Sequence, residues 1–332
     1  MKRRSFCRLF ICTSCLFMVG GLSAQEARRN TKFVPKALWK DTDGEHINAH
    51  GGGVLFHEGT YYWYGERRGD RTSSGGISVY SSKDLYNWKN EGAVLSPVDN
   101  PDSDITWGCV MERPKAIYNA QTRQFVLWFH LELKGQGYAA ARAAVATSDT
   151  PTGPFKFIES FRPNGNMSRD MGLFVDDDGA AYHIYSSDEN YALRIARLRE
   201  DYLGPTTEDT LLFRNHREAP ALFKHRGKYY LITSGCTGWD PNEASLHVAD
   251  QLFGPWELIG DPMRGGEAKK TFGGQSTFVL PVQGKKDAFI FMADEWRPKK
   301  LQDSRYIWLP IQMHADGINI EWIDEWSLDY FN

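Results

Sequence analysis

The stretch Asn215-His216-Arg217-Glu218-Ala219-Pro220-Ala221-Leu222-Phe223 places a carboxylate at the mouth of an apolar run. A turn follows at His225-Arg226-Gly227, then a second apolar run, Lys228-Tyr229-Tyr230-Leu231-Ile232. Short alternating runs of β-branched and aromatic residues between turn residues are strand signals. Taken alone, Glu218 is an ordinary solvated glutamate at a strand start. Its meaning changes because the unit around it recurs.

The first copy is His50-Gly51-Gly52-Gly53-Val54-Leu55-Phe56, a turn at Glu58-Gly59, and Thr60-Tyr61-Tyr62-Trp63-Tyr64-Gly65. The second opens on Glu112-Arg113-Pro114-Lys115-Ala116-Ile117-Tyr118 and returns through Phe125 to Phe129. The third opens on Asp170-Met171-Gly172-Leu173-Phe174-Val175, turns at Asp176-Asp177-Asp178-Gly179, and returns through Ala181 to Tyr185. The stretch around Glu218 is the fourth. The fifth opens on Gln275-Ser276-Thr277-Phe278-Val279-Leu280 and returns through Ala288 to Ala293.

A second echo follows the paired runs: Ser81-Ser82-Lys83-Asp84-Leu85-Tyr86-Asn87-Trp88, then Gly153-Pro154-Phe155 after Thr147-Ser148-Asp149, then Gly254-Pro255-Trp256 after Ala249 to Leu252. These mark a third and an outer fourth strand. Four strands per unit, repeated every 50 to 60 residues or so, is the signature of a propeller blade. Five copies predict an all-β, five-bladed β-propeller. Ile318 to Trp322 and Trp326 to Phe331 are expected to close the ring or pack beside it.

Lys2-Arg3-Arg4, a short apolar run over Leu9 to Gly21, and Leu22-Ser23-Ala24 form the three regions of a bacterial secretory signal peptide. This predicts a leader over residues 1–24, cleaved near Ala24, a secreted or periplasmic protein, and a single propeller domain over 25–332. Lipidation at Cys15 is the weaker alternative, because Cys12-Thr13-Ser14 lacks the usual aliphatic residue. No later run is long and apolar enough to span a bilayer.

Removing Lys2, Arg3, Arg4 and Arg8 with the leader takes the formal net charge from −3 to −7. That argues against a nucleic-acid partner, which needs a basic face. Aromatic residues make up 14% of the chain, which suits both strands and sugar-binding surfaces. Only Cys109 and Cys236 lie beyond the leader, so one disulfide or two free thiols are open. The Asp176–Asp178 run resembles the start of a calcium loop but lacks its further spaced ligands, and is expected to be a hairpin turn. No metal or cofactor is expected beyond an open question over a structural calcium. The expected partner is a polysaccharide or oligosaccharide, and the expected state is a monomer.

In a propeller the inner strands start around a central channel. The five opening residues, His50, Glu112, Asp170, Glu218 and Gln275, should therefore converge. Several carboxyl groups in one funnel cannot all ionise cheaply, and one held protonated near neutral pH is what a general acid requires.

Met111-Glu112-Arg113-Pro114-Lys115, Ser168-Arg169-Asp170-Met171, Arg217-Glu218-Ala219-Pro220, Gly273-Gly274-Gln275-Ser276-Thr277 and Cys236-Thr237-Gly238-Trp239 with Pro241-Asn242 carry a resemblance. Together they are similar to glycoside hydrolase family 43, inverting enzymes on five-bladed propellers, and specifically to its exo-β-1,3-galactanase subgroup. The resemblance covers essentially the whole chain beyond the leader. It implies that Glu218 protonates the leaving glycosidic oxygen and that Asp170 orients it. The wider family has an aspartate base opening the first blade. Here Asn48-Ala49-His50-Gly51 offers none, a departure the subgroup shares. Glu112 and Gln275 stay open as base or water-holding group. Hydroxyl-rich substrates want amide and charged partners and aromatic faces. On that chemistry His50, Glu66, Arg113, Tyr138, Glu189, Asn190, Thr237 and Trp239 are expected to contact sugar, although Tyr138 and Trp239 read equally well as core and Glu189-Asn190 as a plain turn. An α-L-arabinofuranosidase or β-xylosidase, and a non-catalytic sugar-binding propeller, are the competing functions.

Overall fold

A computed structural model of the chain describes residues 29–69, 74–315 and 317–332. The leader expected over residues 1–24 lies outside them. The described chain forms five sheets, one for each repeat, antiparallel but for one edge pair in the fifth. The first blade comprises β1 (His50–His57), β2 (Thr60–Arg68), β3 (Ser74–Ser82) and β4 (Lys89–Leu95). The second comprises β5 (Val110–Asn119), β6 (Gln124–Glu132), β7 (Arg142–Ser148) and β8 (Lys156–Phe161). The third holds β9 (Met171–Val175), β10 (Ala181–Ser187), β11 (Ala192–Leu198) and β12 (Pro205–Phe213). The fourth holds β13 (Arg217–His225), β14 (Lys228–Gly235), β15 (Ser245–Ala249) and β16 (Glu257–Gly260).

The fifth blade departs from the expected four strands. A two-residue strand, β17 (Met263–Arg264), precedes β18 (Gln275–Pro281), β19 (Phe289–Glu295), β20 (Arg305–His314) and β21 (Gly317–Glu321). It pairs in parallel with β21 at the outer edge, Met263 opposite Ile320. The final run, 326–331, packs beside the ring closure as one bridge, Phe33 with Trp326, and a 3₁₀ turn over Leu328–Phe331.

Ring closure joins the first and last blades. Phe33 and Trp326 exchange backbone hydrogen bonds of 2.8 and 3.0 Å, and their rings stack at 4.5 Å. Around this clasp Trp63, Trp88, Tyr306 and Trp308 are almost fully buried. Each buried ring of this size contributes about 1.5–3 kcal/mol or more, so the aromatic wedge is a main adhesive between the chain's two ends.

A repeated irregularity aims the opening residues at the axis. The register slips after His50, Glu112 and Glu218, and again after Ser276. The residue after the opener is left-handed in three blades: Gly51 (φ 58°), Arg113 (φ 53°) and Ala219 (φ 54°). Such β-bulges bend a strand and redirect a side chain. Gly51 is constrained further, because an added Cβ would sit 2.3 Å from Glu66 Oε1. The inner strands of adjacent blades are laced together around the axis: Lys115 Nζ donates to Gly51 O at 2.8 Å and Thr277 Oγ1 to Gly52 O at 2.7 Å.

The Asp176–Asp178 run is the hairpin turn between β9 and β10, and Lys224 pairs with Asp176 and Asp177 at 2.5 and 2.8 Å. Cys109 is buried, Cys236 is half-buried, and both are free thiols. Among the described residues, no helix is long and apolar enough to cross a membrane.

Candidate active site

A pocket of about 270 Å³ opens where the inner strands begin. Of the five openers, Glu112, Asp170, Glu218 and Gln275 line it. Each belongs to a different blade, which is why they meet despite their separation in sequence.

Glu218 is gripped by neighbouring blades. Asn190 Nδ2 donates to its Oε2 at 2.9 Å, and Gln275 Nε2 donates to its Oε1 at 2.9 Å. Burial, reinforced by the charge of Asp170, pushes the carboxyl up to about 7, against the pull of Arg113 and of hydrogen bonds from Cys236 and Gln275. Near neutral pH it therefore exists in both protonation states, as a general acid must.

Arg113 is the hub below it. Its Nη2 lies 2.8 Å from Asp170 Oδ2 and also donates to Gln275 Oε1. Its backbone N–H donates to Glu66 Oε1 at 2.9 Å, a bond that the left-handed turn at Arg113 makes possible. The Gln275 amide is fully engaged: Nε2 serves Glu218 and Ser234, while Oε1 accepts from Arg113 and from Trp296 Nε1 at 2.9 Å.

Glu112 occupies a contrasting environment. Arg68 Nη2 and Tyr138 Oη each donate to its Oε1 at 2.9 Å, and His130 Nδ1 lies 3.3 Å from its Oε2. Burial alone would raise this group. The His130 imidazolium beside it and the charge of Arg68 override it and hold Glu112 well below the usual carboxylate range. His130 is sandwiched, since its Nε2 faces Glu132 Oε1 at 2.8 Å. Burial opposes charge on the ring, but the two flanking carboxylates raise it to about 9. One pocket thus holds a carboxyl poised to give a proton and another kept ionised, the pattern that separates acid from base roles.

Tyr138 and Trp239 line the pocket and are 47% and 43% exposed, so neither is a core residue. Glu66, Arg113 and Asn190 also line it. Three expected sugar contacts do not. His50 is fully buried, bonded through Nδ1 to Asp294 Oδ1 at 3.1 Å and stacked on Tyr306. Glu189 turns outward and pairs with Arg169 at 2.5 Å. Thr237 spends its hydroxyl on Asp240 O and Asn242, bracing the loop that carries Gly238 and Trp239 into the lining.

Arg68, His130, Arg169 and Trp296 were not anticipated, yet all line the pocket. Three lie at or just beyond the ends of second strands: Arg68 closes β2, His130 is near the end of β6, and Trp296 follows β19. Strand pairing sets their positions. Glu112 is directly opposite His130, and Gln275 is opposite Asp294, two residues before Trp296. Among the described residues, no group of three or more His, Cys, Asp or Glu side chains is arranged to hold a metal ion.

The sequence profile of Glycosyl hydrolases family 43 matches residues 53–318. A solved GH43 beta 1,3 galactosidase bound to galactodeoxynojirimycin is 50% identical, with a TM-score of 0.87 over 89% of this chain and 100% of that one. An exo-beta-1,3-galactanase from Phanerochaete chrysosporium, solved as a Glu→Ala variant with beta-1,3-galactotriose, is 38% identical, with a TM-score of 0.84 over 90% of this chain and 68% of that one. An exo-beta-1,3-galactanase from Clostridium thermocellum is 42% identical, with a TM-score of 0.82 over 89% of this chain and 66% of that one. A protein of Escherichia coli (strain K12), provisionally described as a beta-xylosidase, is 29% identical over 56% of this chain. The match spans 36% of that protein's length, about a third.

Proposed function

This chain belongs to the family 43 glycosyl hydrolases and is a glycosidase acting on a carbohydrate, and on that premise we propose that it is an inverting exo-β-1,3-galactanase releasing galactose from β-1,3-galactan. The observation that carries the reading is the pair of opposed carboxyl environments, Glu218 raised to about 7 and Glu112 held ionised, within one pocket. The galactan preference is supported by the galactanase and galactosidase relatives that align over about nine-tenths of this chain.

In this reading Glu218 donates its proton to the glycosidic oxygen as the bond to the anomeric carbon breaks. Asp170 contributes the negative charge that keeps the proton on Glu218, and Arg113 ties Asp170 to Gln275. Inversion also needs a group across the sugar to take a proton from the attacking water, with room for that water between the two. Glu112 fits this role better than Gln275. It is ionised and comes from another blade, whereas the Gln275 amide is bonded to the acid itself and has no free donor or acceptor to spare. Trp239, Trp296 and Tyr138 offer faces and edges for the sugar ring, and Asn190 and Glu66 offer polar partners for its hydroxyls.

Secretion through the leader and a monomeric state complete the proposal. The test is digestion of β-1,3-galactan and β-1,4-galactan side by side. Galactose from the first alone is expected. No release from it overturns the reading, and arabinose or xylose released from aryl glycosides without galactose selects the alternative pentosidase function.

A further inference from the structure

The rim beside Glu218 carries an aromatic pair that is not part of the pocket lining. The turn from β10 to β11 holds three successive non-glycine residues in the left-handed region: Asp188 (φ 50°), Glu189 (φ 54°) and Asn190 (φ 67°). Strained backbone of this kind persists where its surroundings over-determine it, and it clusters at binding and catalytic sites. Here the bend delivers Asn190 Nδ2 to Glu218 Oε2 and leaves the next residue, Tyr191, 57% exposed.

Tyr191 does not dangle. Its ring lies on the His216 imidazole with centroids 4.2 Å apart and planes 3° from parallel. His216 is exposed and left-handed itself (φ 58°), and stands two residues before Glu218. A large ring held flat at the surface has already lost its rotamer freedom, so a ligand stacking on it pays little ordering entropy. Pyranose rings present flat C–H faces suited to such a surface.

The location selects which sugar. Glu218 protonates the oxygen leading to the leaving group, so the departing part of the substrate lies on Glu218's side of the pocket. The aromatic pair is tied to Glu218 through both chains that carry it: Tyr191 follows Asn190, whose amide grips Glu218, and His216 precedes Glu218 by two residues. We propose that Tyr191 and His216 form a subsite for the leaving-group side of the substrate, stacking on the second hexopyranose of a β-linked galactan chain. This rests on the reading of Glu218 as the acid and of galactan as substrate.

The test compares β-1,3-galactotriose with β-galactosyl fluoride, whose leaving group is a single atom. In Tyr191→Ala the ratio of kcat/KM on the trisaccharide to that on the fluoride should fall about three- to tenfold, the scale of one exposed aromatic stack. Tyr191→Phe, which keeps the ring, should restore it to within about twofold. A wild-type enzyme active on the trisaccharide whose ratio is unchanged in Tyr191→Ala overturns the subsite alone. A wild-type enzyme inactive on the trisaccharide overturns the galactanase reading, and the subsite with it.

Discussion

Gln275 Nε2 donates to Glu218 Oε1 at 2.9 Å, joining the openers of the fourth and fifth blades side chain to side chain. A donor at this position favours the ionised carboxylate, so it moderates the upward push from burial and Asp170. Removing it in Gln275→Ala should raise the Glu218 pKa further. The basic limb of the kcat/KM profile should then move to higher pH even as the rate itself falls. A basic limb that stays in place would show that Gln275 does not act through Glu218.

The acid role makes a prediction about leaving groups and one about stability. Glu218→Gln should reduce cleavage of β-1,3-galactan by roughly 10²–10⁴-fold, but cleavage of an aryl galactoside with an acidic leaving group far less, since that departure needs little protonation. The pKa of Glu218 is raised on folding, from an ordinary carboxylate value near 4.5 to about 7. The folded state therefore binds the proton more tightly, and the stability this confers is present below about pH 4.5 and lost as pH climbs through 7. Glu218→Gln does not titrate, so its Tm relative to wild type should rise between pH 4.5 and pH 8. Thermal unfolding at the two pH values measures the difference. A constant offset would contradict the raised pKa.

His130 is buried between Glu112 and Glu132, and the outer of these, Glu132, is wholly inaccessible. Glu132 also accepts the Ala141 N–H at 2.9 Å. Glu132→Gln leaves the ring with one carboxylate instead of two. It should destabilise the fold by about 1.5–3 kcal/mol, the scale of one buried charge-assisted hydrogen bond, since Glu112 still pairs the ring. It should also weaken the positive charge facing Glu112, so the acidic limb of kcat/KM moves upward, although Arg68 and Tyr138 still hold Glu112 and limit the shift. Urea unfolding and a pH–rate profile read the two effects separately.

The clasp of Phe33 and Trp326 is the covalently unlinked seam of the ring. Trp326 is 5% exposed, and its indole N–H donates to Trp308 O at 2.9 Å. Trp326→Ala should cost about 3–5 kcal/mol and lower Tm by several degrees. Because the seam lies between the first and fifth blades, limited proteolysis should then cut first near the termini. Cleavage beginning in the third blade would argue that the seam is not the weak point.

The fold was legible because the repeat is carried by local patterning, in which strand periodicity and turn residues need no knowledge of tertiary structure. The opening positions followed from it, and Glu112, Asp170, Glu218 and Gln275 do converge. His50 does not join them in the lining, because an opener's side chain can be claimed by the neighbouring blade, here by Asp294. Arg68, His130 and Trp296 were missed for a different reason. They enter the site from the ends of second strands, and only cross-strand register places His130 opposite Glu112. A related signal was in the sequence all the same: Glu66, Asn190 and Trp239, which also line the pocket, lie at or beyond second-strand ends. The extra edge strand at Met263–Arg264 had no signal, since two residues carry no periodicity.

The most direct test is time-resolved proton NMR of the wild-type enzyme acting on β-1,3-galactooligosaccharides. The geometry of an acid and a separate base predicts that galactose appears one unit at a time, first as the α-anomer, and only later mutarotates to the equilibrium mixture. The β-anomer appearing first, or no galactose at all, would contradict the assignment of Glu218 and Glu112 as the acid and base of an inverting galactanase.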